Sequence, residues 1–213
     1  MMPSGSRRES SSRFLAAVLC VLAAGFVPAR VARADDAPAG TMLALDSTRS
    51  HADFEVKVLW LIGVHGRFGQ VQGSVSIDRV RGTAVADAQI GVEMIRMRKP
   101  GYETWVKSAE FFDAQHHPQI HFVSDPFPLG ELQAGGEIGG TLRIRDIDRH
   151  VTMTLEPSAC PEAIAYTCAV EASGSIRRSE FGMRSRRGTL SDNVDLGLTI
   201  YLAEKIPEPD RTQ

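Results

Sequence analysis

Cysteine is scarce, with three in 213 residues, and Cys20 lies in an apolar leader. Zinc is disfavoured for the other two, since no third or fourth ligand lies near them in sequence. Long apolar runs are missing too. Phe14 to Val27, "FLAAVLCVLAAGFV", stops at fourteen residues, short of the ~20 that span a bilayer. No G-x-S-x-G, P-loop or H-E-x-x-H motif occurs anywhere in the chain, which removes the commonest sequence signs of a hydrolase, a nucleotide enzyme or a zinc protease.

What is present at the start reads as an export signal. Arg7, Arg8 and Arg13 precede the apolar run, Pro28 ends it, and Ala32 and Ala34 supply small residues at −3 and −1 of a cleavage site before Asp35. Leu19 before Cys20 does not suit a lipoprotein leader, and the polar "ESSS" after Arg8 does not suit twin-arginine export. Residues 1–34 are therefore expected to be a cleaved secretory signal, with a periplasmic location. A flexible segment is expected over 35–44, one domain over 45–203, and a flexible tail over 204–213. Cleavage would leave 19 basic and 25 acidic residues, a net charge of −6. That disfavours nucleic acid as a partner. In an oxidising compartment Cys160 and Cys168 suggest a disulfide closing a short loop, with two free thiols as the alternative.

Alternation with a period of two runs through the rest of the chain. Phe54, Val56, Val58 and Trp60 share one face of "ADFEVKVLW", against Asp53, Glu55 and Lys57. The same pattern sets Val71, Val75 and Ile77 together, then Ala88, Ile90, Val92 and Met94. It continues with Leu142 and Ile144, then Val151, Met153 and Leu155, and finally Val194, Leu196, Leu198, Ile200 and Leu202. About eight strands joined by short turns, with no βαβ rhythm, predict an all-β antiparallel domain, a barrel or a sandwich. Its sheet should be dry on one side and wet on the other. Between Arg96 and Pro118 there is room for one or two short helices, and "TWVKSAEFFD" has helical spacing.

Five segments, in order, resemble the YceI-like lipid/polyisoprenoid-binding domain family. They are "LDSTRSHADFEVK", "GRFGQVQGSVSID", "VKSAEFFDAQHHPQIHFVS", "GTLRIRDIDRHVTM" and "IRRSEFGM". The resemblance covers about Leu45 to Leu202. It implies an extended, eight-stranded lipocalin-like β-barrel holding a long amphipathic lipid, such as a polyisoprenoid, in its lumen. Two departures stand out: the turn the family writes Gly-x-Thr is "RDIDR" here, and the Cys160/Cys168 pair is not a family feature.

The apolar faces fit that expectation on their own terms, because a prenyl chain needs a tunnel of aliphatic and aromatic side chains. Candidate liners are Phe54, Val56, Val75, Ile90, Val92, Met94, Phe122, Val170, Leu196, Leu198 and Ile200. Phe112, Arg178 and Phe181 join them from the family-like segments. The expected ligand is a long-chain lipid, with no metal and no other cofactor. A transient membrane-surface contact and a homodimer are compatible partners.

Other readings of the same residues stay open. His116, His117 and His121 suit surface or turn positions, with a metal site or a catalytic base as the alternatives. Asp146 and Asp148 fit a hairpin turn better than acid–base work. "RRSEFGMRSRR", five arginines in eleven positions, suits a basic mouth for an anionic head, attraction to a membrane surface, or a solvated loop. Arg178 could instead serve structure by pairing with Asp113. An envelope enzyme of hydrolase or redox type at the barrel mouth, and a protein that binds other envelope proteins, are the competing classes.

Overall fold

The computed structural model describes residues 40–99, 101–158, 160 and 167–203. The expected leader, residues 35–39 and the expected tail lie outside those residues. Among the described residues twelve strands form one antiparallel sheet. In chain order they are β1 (Thr41–Ala44), β2 (His51–Val58), β3 (Ile62–Gly69), β4 (Gln72–Asp78), β5 (Thr83–Gly91) and β6 (Ile95–Met97). Then come β7 (Gln119–Ser124), β8 (Phe127–Pro128), β9 (Gly136–Ile144), β10 (Ile147–Leu155), β11 (Val170–Arg177) and β12 (Leu190–Ile200). Two short helices, α1 (Tyr102–Lys107) and α2 (Glu131–Ala134), interrupt them.

The strand order is β1-β4-β5-β7-β9-β10-β11-β12-β2-β3-β6, with β8 beside β5. The sheet curls so far that its first strand returns to its last. Leu45 bridges Leu202, Asp46 N donates to Tyr201 O at 2.8 Å, and Ala203 N donates to Ala44 O at 2.8 Å. An all-β, lipocalin-like curled barrel is thus what the alternation builds. Its apolar faces turn inward because burial of that face is the main favourable term available to a half-polar strand.

The strand count exceeds the expected eight for physical reasons. β3, "IGVHGRFG", carries three glycines, so its alternation is faint. β1, β6 and β8 are only two to four residues long. Residues 41–44, expected in a flexible segment, instead pair with β4 from Thr41↔Ile77 to Ala44↔Ser74.

Other boundaries differ for local reasons. Trp60 was expected inward beside Phe54 and Val56, but β2 ends at Val58. Leu59 and Trp60 then take φ of 49° and 62°, and the chain reverses outward. α1 stops at Lys107, where Ser108 Oγ donates to Trp105 O at 2.7 Å, so the predicted helix does not reach Phe112. The "RDIDR" departure proves to be a two-residue turn between Ile144 and Ile147. Arg145 and Asp146 have φ of 54° and 58°, the pattern that suits strand twist.

Two glycines are needed where they stand. Gly66 lies against the Phe54 ring, which a Cβ would strike. Gly73, in β4, has φ of 139°, and a Cβ there would run into the Asp87 carbonyl of β5. Cys160 and Cys168 form a disulfide with their Cα atoms 6.1 Å apart, which agrees with the sequence reading. Gly73→Ala combines backbone strain with a clash in the sheet. It is expected to lower stability by roughly 2–4 kcal/mol, read as a lower urea midpoint with an unchanged m-value.

Candidate functional site

The inner faces enclose a cavity of about 380 Å³, within the range of small-molecule sites. Its walls come from most of the sheet. Phe54 and Val56 of β2 stand opposite Leu196 and Val194 of β12, and Ala52 faces Leu198. Across the lumen lie Val75 of β4, Ala88 and Ile90 of β5, Phe122 of β7, and Leu142 and Ile144 of β9. The far end is closed by Ile77, Phe127, Leu132, Ile138, Met153 and Leu155, a separate packed cluster beside α2.

The segment 102–112 shapes the other end. Phe112 meets Phe68 edge-on at 5.4 Å and Phe54 at 6.4 Å. Phe111 stacks edge-on against Trp105 at 4.6 Å, so the two phenylalanines pin the loop after α1 to the barrel. Trp105 Nε1 donates to Glu110 Oε2 at 2.9 Å, and Arg186 Nε donates to Glu110 Oε1 at 2.8 Å. The Arg186 guanidinium also lies 4.9 Å from the Trp105 ring centre. These three side chains clasp the rim, and exposed Arg186 and Thr189 line the opening.

Of the expected liners, Phe54, Val56, Val75, Ile90, Phe112, Phe122, Val170, Leu196, Leu198, Ile200 and Arg178 border the cavity. Three do not. β5 ends at Gly91, and Val92 N donates to Pro118 O at 2.8 Å. That turn packs Val92 into the core and swings Met94 out, 39% exposed. Phe181 is 0% exposed in the core, away from the lumen. Residues not foreseen include Tyr102, Trp105, Val106 and Phe111 at the rim, with Leu132 and Phe127 at the base. Leu142, Ile144, Val151 and Met153 also line the cavity, and the alternation of β9 and β10 carried that signal.

Arg178 is 3% exposed. Its Nε donates to Ser191 O at 2.8 Å, Nη1 to Met183 O at 2.7 Å and Nη2 to Leu190 O at 3.3 Å. It therefore ties the 3-10 turn Arg178–Phe181 to the start of β12 rather than pairing with Asp113. Burial pushes its pKa down, against the charge of Asp192. Burial also acts to raise the Asp192 carboxyl. Hydrogen bonds donated by Ser179, with help from Arg178, outweigh it and hold that group below its ordinary range.

The three histidines each hydrogen-bond a different carboxylate, and His117 also lies 4.0 Å from Asp113. His116 Nδ1 donates to Asp113 at 2.9 Å, His117 Nδ1 to Asp146 at 2.8 Å, and His121 Nε2 to Asp87 at 2.8 Å. Asp113 takes φ of 52°, and the hydrogen bond from His116 lowers its pKa. His121 points away from Ile120 and Phe122, on the outer face. Among the described residues no group of three or more His, Cys, Asp or Glu side chains is placed to hold a metal.

A curled antiparallel sheet around an apolar hollow defines a β-barrel of lipocalin-like class. The model of the YceI-like domain matches residues 43–202, and the chain belongs to that family. BcnA of Burkholderia cenocepacia is similar at 22% identity and a TM-score of 0.63, covering 75% of this chain and 99% of that one. A polyisoprenoid binding domain from Saccharophagus degradans, implicated in plant cell wall breakdown, is similar at 12% identity and a TM-score of 0.56. There the match covers 76% of this chain and 98% of the other. A UPF0312 protein of Pectobacterium carotovorum is 24% identical over 176 residues, 77% of this chain and 89% of its own length. At these identities the structural likenesses show the shared fold.

Replacing Arg178 by Met strands three carbonyls. It is expected to cost about 3 kcal/mol, read by urea unfolding. The rim clasp has an acid dependence. The hydrogen bond from Trp105, then that from Arg186, holds the Glu110 pKa below its ordinary 4.5. A carboxylate lowered on folding stabilises above its unfolded value and loses that contribution as pH falls through the lowered one. In a Trp60→Phe background, Trp105 fluorescence should stay constant at neutral pH and change only below 4.5. Glu110→Gln should abolish that transition.

Proposed function

We propose that this protein binds a long-chain lipid, of isoprenoid or similar amphipathic kind, in the barrel lumen and holds it for sequestration, transport or storage in the periplasm. The observation that carries the reading is the cavity itself: a hollow of about 380 Å³ faced almost throughout by hydrocarbon side chains. Such a wall takes up an alkyl chain at ~0.8 kcal/mol per buried CH₂ without charge contacts. It also favours a binder over an enzyme, because the described side chains facing the centre of the lumen offer hydrocarbon to a ligand. Family membership supports the same reading. So does the Saccharophagus degradans relative, whose own description is that of a polyisoprenoid binding domain.

The orientation follows from the polar groups. The base is sealed by Phe127, Leu132 and Leu155, so an apolar tail belongs there. Tyr102, Arg186 and Thr189 gather at the opening, where a polar head keeps water and hydrogen bonds. The export signal supports the periplasmic location, and the disulfide suits an oxidising compartment.

The test is to recover the protein from the periplasmic fraction with a chain starting at Asp35, then identify co-purified lipid by native mass spectrometry and organic extraction. One lipid per barrel is expected. Ala88→Phe places a ring in the lumen and should lower lipid recovery while far-UV circular dichroism stays native. No lipid on the wild type, and no uptake of added prenyl lipid, would refute the reading.

A further inference from the structure

Among the described residues the longest run of exposed apolar side chains lies at one hairpin tip. Leu59, Trp60, Leu61 and Ile62 are 52%, 64%, 89% and 58% exposed. The other large exposed apolar residues, Met42, Val80 and Met94, belong to separate elements, and single exposed residues of that kind are ordinary.

The tip's backbone makes this run more telling. Val58 pairs with Ile62, and Leu61 N donates to Val58 O at 3.1 Å, leaving a three-residue loop. Leu59 and Trp60 both occupy the left-handed region there. Gly or Asn would fill those positions without strain and would also be soluble. Bulky apolar residues thus stand at a strained, solvent-facing site where turn chemistry asks for the opposite, and strain of this sort is a pointer to function.

The exposed charges around the tip are basic, although the mature chain is expected to be acidic; the partly buried Glu55 carboxylate beside Gly63 turns to His65 at 3.7 Å. Exposed Lys57 pairs with Gly63 at the foot of the hairpin. Leu59 N donates to Thr189 O at 2.7 Å, which sets the tip beside the loop carrying exposed Arg184 and Arg187. Among the described residues neither arginine has an acid within ion-pair distance, though the charge of Arg187 acts on Asp192, whereas Arg186 is taken up by Glu110. Tryptophan with leucine and isoleucine, flanked by exposed basic side chains, is the composition that seats at the boundary of an anionic bilayer.

We propose that the β2–β3 tip, Leu59–Ile62, docks the protein on an anionic lipid bilayer, with Lys57, Arg184 and Arg187 contacting the headgroups. Val58, Val64 and Thr189 border the cavity, so docking brings the open end of the lumen to the membrane. A tail then passes between bilayer and barrel with little exposure to water. That consequence rests on the lumen holding a lipid, while the docking itself does not.

Flotation with vesicles of phosphatidylcholine and phosphatidylglycerol in equal parts tests the docking. The wild-type protein should float with them, and more weakly with phosphatidylcholine alone. Trp60→Ser with Leu61→Ser should weaken vesicle binding at least about tenfold. Arg184→Gln with Arg187→Gln should weaken it about fivefold per charge on the anionic vesicles only. All four side chains are exposed, and circular dichroism with urea unfolding verifies the fold of each variant. Uptake of a fluorescent prenyl lipid from dilute detergent reads the lumen separately, and the tip variant should retain it. A wild-type protein that does not float, or a folded tip variant that floats unchanged, overturns the proposal. So does a dimer in sedimentation that the tip variant abolishes with no vesicle binding, which would assign the tip to a second copy of the chain.

Discussion

Where β12 lies against β2, Leu196 faces Phe54, Val194 faces Val56 and Leu198 faces Ala52, so the last strand joins the two ends of the sequence into one curled sheet. Both strands are apolar on the same side, and a one-residue slip would turn every one of those side chains into water. Register is therefore pinned by burial, and the curl follows from the register. A curl this wide has an inner surface its own side chains do not fill, which is why the interior is hollow rather than packed as in a sandwich.

The rest of the molecule manages that hollow. α2 and the short β8 strand seal the base with Leu132 and Phe127. The aromatic group of Phe54, Phe68 and Phe112 fixes the segment after α1 over the other end. Arg178 sits at the wall, yet its donors are spent on Ser191, Met183 and Leu190 carbonyls. A buried guanidinium in that role holds the start of β12 in register and leaves head-group contacts to the rim. Polar chemistry thus gathers where water already reaches, and the lumen stays apolar.

Most of the wall was legible because a strand with one dry face writes its burial as alternation. Phe54 with Val56, and Leu196 with Leu198 and Ile200, are the plainest instances. The reading failed where the backbone left the strand. Val92 and Met94 continue the alternation in sequence, but a 3-10 turn re-aims them. Trp60 continues that of β2, but a reversal built on left-handed Leu59 and Trp60 carries it outward. Neither residue type announces such a conformation. β3 was faint because its glycines, one of them beneath the Phe54 ring, contribute no side chain to the pattern. Arg178 could be singled out through the family-like Arg-x-x-Phe-Gly segment. Its partners are mostly carbonyls about a dozen residues away, which no local pattern encodes. The histidines of "HHPQIHF" drew attention for their chemistry, and each is bonded to a different carboxylate at the surface.

The proposed function requires that the hollow inside the barrel be occupied by an alkyl chain. A crystal structure of the protein purified natively, without delipidation, reads the lumen itself. A continuous tube of density is expected, running from Phe127 and Leu132 at the base, past Phe54 and Leu196, to the opening beside Arg186 and Thr189. A lumen closed by rearranged side chains, or filled by ordered water alone, would contradict it.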